Sequence, residues 1–120
     1  EPHKVEWREK KMNYKKNMIS LLQLFNKFNS PCIIDYLGMD CEGSEFDILT
    51  GYFDKNTKYC IKMLVIETVR DDLVDIILQN KYIEIINPIL PDWNNMVVTW
   101  EKYFIHESFI DSIDKSLIKI

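Results

Sequence analysis

The chain has 120 residues, a formal net charge of −4, 47% hydrophobic residues and 28% charged ones. That length bounds it to one domain or part of one, and the composition is that of a globular chain rather than a disordered one. A pI near 5.1 argues against nucleic acid as a partner, because that role rests on a basic surface, and no apolar run approaches the roughly 20 residues of a membrane span.

Residues 1–16 read as a basic N-terminal arm. Lys4, Arg8, Lys10, Lys11, Lys15 and Lys16 crowd there and are expected to be solvated. The opening Glu1-Pro2-His3-Lys4 is polar and lacks a signal-peptide pattern. With no initial Met, the chain reads as a processed product or a segment of a longer one. Cys32, Cys41 and Cys60 are odd in number and form no C-x-x-C pair, so neither a disulfide framework nor a zinc site is expected. Reduced thiols point to an intracellular, cytoplasmic setting. Cys32 and Cys60 flank predicted buried strands and should behave as small apolar residues. Cys41 lies in an acidic turn, where neighbouring carboxylates oppose a reactive thiolate.

Helical spacing begins at Met18 and carries Leu21, Leu22, Phe25 and Phe28 on one face. Asn29, Ser30 and Pro31 end it. Ile33–Met39 is a near-continuous apolar run, expected to be a strand covered on both faces. Asp35 within it is expected to bond backbone groups at the amino end of the sheet. The run enters an acidic turn of Asp40, Glu42 and Gly43, and Ser44-x-x-Asp47 then has capping-box spacing. Phe46, Ile48, Leu49, Tyr52 and Phe53 form the next apolar helix face. Ile61–Glu67 is a second strand, and a helix over 70–80 follows, with Leu73, Ile76 and Ile77 inward. Its first turn carries Asp71 and Asp72, which the helix dipole favours. Tyr82–Asn87 is a third strand. Pro88 and Pro91 bracket a loop through Trp93, and Met96–Thr99 and Tyr103–His106 are short strand candidates. Phe109, Ile110, Ile113 and Leu117 give the tail helical spacing. Strands alternating with helices imply an α/β domain with parallel pairing.

Several stretches fall in an order that resembles the carboxyl-terminal half of an FkbM-type methyltransferase domain. They are Ile34-Asp35-Tyr36-Leu37, Asp40-x-Glu42-Gly43-x-Glu45, Leu49-x-Gly51, Ile66-Glu67, Tyr82 and Phe104-Ile105-His106-Glu107-Ser108-Phe109. The resemblance covers residues 17–109 and leaves 110–120 as a helical tail. It implies a partial Rossmann-like class I methyltransferase sheet. Ile33–Met39 would be its fourth strand, Ile61–Glu67 its fifth and Tyr82–Asn87 its sixth. Tyr103–His106 would be the antiparallel seventh, beside the fifth. The first three strands are missing, and with them the glycine-rich turn for S-adenosylmethionine. No G-x-G occurs, and the glycines are Gly38, Gly43 and Gly51. The implied function is the acceptor-side half of an S-adenosylmethionine-dependent O-methyltransferase, inactive alone, acting on a small-molecule or sugar hydroxyl. Without a first strand, 33–39 would be an open apolar edge, to be covered by a second copy of the chain or by a missing N-terminal half.

Ligands of open α/β sheets bind beyond the carboxyl ends of the strands. Asp40 and Glu42 lie there, and Glu67 ends the adjacent strand. On the resemblance, Asp40 and Glu42 are the catalytic candidates. With Glu67 they form a candidate site for a divalent cation that would lower a hydroxyl's pKa; alternatively one carboxylate is the base. The structural alternative has Glu42 capping the turn and Glu67 paired with a Lys or Arg. Glu45, in the first helical turn, is expected to be a surface carboxylate. His106 is a candidate base or substrate ligand beside the plainer reading of a packed or surface residue, and Trp93, with Trp100, either anchors its loop or gives the acceptor a stacking surface. Two other readings stay open: a non-catalytic binding or structural remnant completed by a partner, and a nucleotide-sugar transferase using the acidic pair to hold metal.

Overall fold

A computed structural model of the chain describes residues 19–68, 70–86 and 101–119. The elements run α1 (Leu21–Lys27), β1 (Ile33–Met39), α2 (Glu45–Phe53), β2 (Cys60–Glu67), α3 (Asp71–Gln79), β3 (Tyr82–Ile85) and β4 (Glu101–His106), followed by two 3-10 turns, Glu107–Ser112 and Lys115–Leu117. The basic arm, Trp93, Trp100 and the strand expected at Met96–Thr99 lie outside the described residues. No helix among the described residues is long and apolar enough to cross a membrane.

The strands form one mixed sheet in the order β1-β2-β4-β3. β1 and β2 are parallel, with Tyr36 opposite Met63 and Met39 opposite Ile66. β4 lies antiparallel between β2 and β3, with Phe104 opposite both Leu64 and Glu84. β1 and β2 must run parallel because a whole helix separates them, and a helix of this length carries the chain back to start the next strand in the same direction.

Side chains alternate along a strand, so Met39, Leu64, Ile66 and Phe104 share one face of the sheet. Against that face pack Leu21 and Phe25 from α1, Leu49 and Tyr52 from α2, and Leu73 and Ile77 from α3. Leu49, Leu64, Ile66, Ile77 and Phe104 are fully enclosed. The tyrosines at the amino end of the sheet bury their rings and satisfy their hydroxyls: Tyr52 donates to the Tyr59 carbonyl at 3.1 Å, Tyr82 to the Ile61 carbonyl at 2.6 Å, and Tyr59 to Asn26 Oδ1 at 2.9 Å. Burial, and secondarily Cys60, pushes the Tyr52 phenol up to about 12, so it remains a donor.

Several local expectations are corrected. β1 is not covered on both faces: Tyr36, on the face away from Met39, is 59% exposed, and Ile33, the first residue of the strand, is 46% exposed; among the described residues, β1 has a single strand neighbour. Asp35 and Cys32 are exposed with it. Ser44 does not cap α2; its backbone is already helical, at φ −85° and ψ −4°, and its side chain makes no cap hydrogen bond. A working capping box stands instead at α1, where Ser20 Oγ accepts from Gln23 N–H and Gln23 Oε1 accepts from Ser20 N–H. The tail is not an α-helix: His106 and Asp114 each cap a short 3-10 turn, and Ile113 between them is extended.

Candidate functional site

β1 and β2 end side by side, so Asp40, one residue past β1, reaches Glu67, the last residue of β2. The two carboxyl groups stand at neighbouring strand ends and line the same hollow, and the Asp40 charge, foremost, holds Glu67 above the usual carboxylate range. Slight desolvation and the charges of Glu42 and Glu101 add to it. Like charges at neighbouring strand ends disfavour ionisation, which is why Glu67 holds its proton more tightly than an isolated carboxylate does.

The turn after Asp40 is shaped from behind by Glu45. That side chain is only 4% exposed. Its carboxylate accepts from the Cys41 N–H and from the Gly43 N–H, the latter at 3.1 Å. Folding two amides toward one carboxylate requires left-handed backbone at Glu42, φ 53°, and Gly43, φ 98°. Glycine takes that conformation without strain, and Glu42 carries the cost. The expectation that Glu45 is a surface carboxylate is corrected, and Glu45 rather than Glu42 caps the turn.

A cavity of about 410 Å³ opens at this edge. Asp40, Glu42 and Glu67 stand on one side, Phe46 and Leu73 form an apolar wall, and Arg70 closes the other side. The Arg70 guanidinium lies 4.0 Å from the Phe46 ring centroid and makes a two-pronged contact with Asp72 at 3.0 and 2.7 Å. Asp72 thus engages this cation, and the bond raises the Arg70 pKa further. A smaller hollow of about 210 Å³ lies where Tyr36, Gly38 and Glu101 meet Asp40 and Glu67. The Asp40–Glu67 pair therefore borders both hollows.

Asp40, Glu42 and Glu67 share one cavity, as expected. His106 is not with them. β4 is antiparallel to β2, so Glu101 lies opposite Glu67 while Ile105 lies opposite Met63. This puts His106 at the far end of the sheet, in a hollow with Tyr52, Cys60 and Tyr82. Cys41 is exposed in the turn. Sequence reasoning missed two residues, Arg70 and Glu101. Glu101 could have been found only by knowing that β4 runs backwards, which brings its first residue to the edge where β2 ends.

Among the described residues, no three of His, Cys, Asp and Glu converge so as to hold a metal ion. A divalent cation at Asp40, Glu42 and Glu67 would need a rearranged or additional ligand. What the arrangement offers chemically is a pair of neighbouring carboxyl groups, the Glu67 one with raised proton affinity, at the rim of a cavity that is apolar on one side. No family model, curated protein or solved structure matches the chain.

Proposed function

We propose that the chain is the acceptor-side half of an S-adenosylmethionine-dependent O-methyltransferase, in which the Asp40–Glu67 pair receives the proton of an acceptor hydroxyl. The observation that carries this reading is the strand order. One antiparallel strand, β4, is inserted between β2 and β3, as the seventh strand of a class I methyltransferase sheet would be beside the fifth. On this reading β1, β2, β3 and β4 are the fourth, fifth, sixth and seventh strands. The carboxyl pair then stands where such a sheet presents its acceptor.

Methyl transfer to a hydroxyl needs the acceptor oriented and its proton removed. A carboxylate whose proton affinity is raised by a neighbour is a better base near neutral pH than an isolated one. Glu67 has that property through Asp40. Phe46 and Leu73 give the acceptor's carbon skeleton an apolar wall, and Glu42 at the rim is placed to bond a second hydroxyl. The described residues do not fit the methyl donor itself. Their one glycine at positive φ is Gly43, whose N–H is already taken by Glu45, and there is no glycine-rich turn. No step through the donor is assigned to these residues.

The same lack of a donor cradle favours, as a second reading, a binding or structural module of this fold. Calorimetry separates the two. S-adenosylmethionine titrated into the 120-residue chain should give no heat of binding, while the full-length gene product should bind it. Failure of the full-length product to bind supports the non-catalytic module. Tight binding by the 120-residue chain refutes the half-site account. Divalent-cation-dependent binding of a sugar nucleotide instead would point to the transferase reading.

A further inference from the structure

The segment after β4 leaves the sheet and returns to it. Ile86 N–H donates to the Leu117 carbonyl at 2.8 Å and Lys119 N–H to the Glu84 carbonyl at 3.0 Å. Ile85 and Ile118 face each other in an antiparallel bridge, and Lys119 Nζ meets Glu84 Oε2 at 3.0 Å. Residues 107–119 are thus a strap over the outer edge of β3, a row of backbone groups that would otherwise invite another strand.

The strap bends at His106. The ring's Nδ1 accepts from the Ser108 N–H at 3.2 Å and lies 2.7 Å from Ser108 Oγ. An Nδ1 that accepts from a backbone amide carries no proton, so the neutral ring holds its proton on Nε2. The ring is fixed edge-on to Tyr82, with centroids 5.1 Å apart and planes at 89°, and near Phe109 at 6.5 Å. A proton added from solvent to Nδ1 turns this acceptor into a donor. The Ser108 hydroxyl can rotate to accept from it, but the Ser108 N–H cannot, and the cap is broken.

We propose that His106 is a pH-operated latch on the carboxyl-terminal strap: protonation of Nδ1 breaks the Ser108 cap, releases residues 107–119 and uncovers the β3 edge. The charges around the ring act in both directions, the Glu107 attraction outweighing the Lys81 repulsion. Lys81 precedes β3, Lys62 of β2 has its ammonium 5.3 Å from the Phe109 ring centroid, and Lys55 and Cys60 line the same hollow as the ring. Glu107, on the strap itself, is the carboxylate that favours the charge. Burial, ahead of the Glu107 attraction and then the Lys81 repulsion, leaves the closed ring with a lowered proton affinity. The released ring has the ordinary value near 6.5. The closed strap therefore binds the proton less tightly than the open one. Closure is complete above about pH 6.5 and is lost as pH falls through the lower value of the closed ring, by up to about tenfold in the closed-to-open ratio per pH unit within that window.

Amide hydrogen exchange on the full 120-residue chain reads the latch. Protection at Ile86 and Lys119, corrected for the intrinsic pH dependence of exchange, should fall several-fold between pH 7.5 and pH 5. His106→Asn keeps an acceptor oxygen for Ser108 N–H but does not titrate, so the fall should vanish in that variant. The ring nitrogen shifts of the wild-type protein at pH 7.5 should report the Nε2–H tautomer, a readout that stands even if the variant does not fold. Flat protection in the wild type, an equal fall in His106→Asn, or an Nδ1–H tautomer would each overturn the proposal.

Discussion

Replacing Glu45 probes what holds the acidic turn in shape. Its buried carboxylate accepts two backbone N–H groups, from Cys41 and Gly43, and the left-handed backbone at Glu42 and Gly43 points those amides inward. A hydrogen bond to a charged group contributes about 1.5–3 kcal/mol. Both bonds are only partly buried, which places each near the low end and lets water reach the orphaned amides. Glu45→Ala should therefore cost about 3 kcal/mol. Glu45→Gln keeps one acceptor oxygen and presents an amide group to the other N–H, so it should cost about half as much. Urea unfolding followed by circular dichroism measures this. With a slope of about 1.5 kcal/mol per molar, the midpoint should drop by about 2 M for alanine and about 1 M for glutamine, with the slope unchanged. A drop below about 0.3 M for alanine, or equal drops for both variants, would refute the assignment of the turn to Glu45.

The glycines give a paired prediction. Gly51 in α2 and Gly43 in the turn both have open space where a Cβ would sit, but only Gly43 has positive φ. Gly51→Ala should raise stability by about 0.5–1 kcal/mol and Gly43→Ala should lower it by about 1–2 kcal/mol; equal signs in a denaturation series would contradict the backbone argument. Asp40→Asn should bring the Glu67 carboxyl back toward its ordinary range in a carbon-detected NMR titration, because Asp40 is the foremost cause of its raised value. The linkage has a definite sign: folded Glu67 binds its proton more tightly than the unfolded chain does, so its contribution to stability falls as pH rises through that window and Asp40→Asn should flatten this dependence. An unmoved Glu67 titration would separate the two carboxyls. Tyr82→Phe removes the buried bond to the Ile61 carbonyl and should cost about 1–2 kcal/mol in thermal or urea unfolding; a change under about 0.3 kcal/mol would show that water replaces it.

The central elements were legible because their signals were redundant. The apolar run at Met63–Ile66 and the helical spacing of Leu49 with Tyr52 and of Leu73 with Ile77 each had one physical solution, and those residues are buried or half-buried. β1 was found, but its exposure was not. An apolar run reads alike whether a strand has two neighbours or one, and only the sheet order decides. Ser44-x-x-Asp47 had the spacing of a capping box without the extended backbone that such a cap needs, because Gly43 had already turned the chain. The tail's helical spacing was overridden by two local caps, His106 and Asp114, whose side chains compete for the backbone. At the site, Asp40 and Glu67 were legible as strand-end carboxylates. Glu101 was not, because its place depends on the direction of β4, and Glu45 was not, because its role depends on positive φ two and three residues earlier.

The most direct test of the proposed chemistry is methyl transfer from S-adenosylmethionine to a hydroxyl acceptor by the full-length product, wild type against Asp40→Asn, with folding checked by circular dichroism. General-base catalysis contributes about 10²–10⁴ in rate. The account predicts a loss of kcat of at least about 100-fold in the variant with its fold intact. Undiminished turnover in Asp40→Asn, or no methyl transfer by the wild-type product with any hydroxyl acceptor, would contradict it.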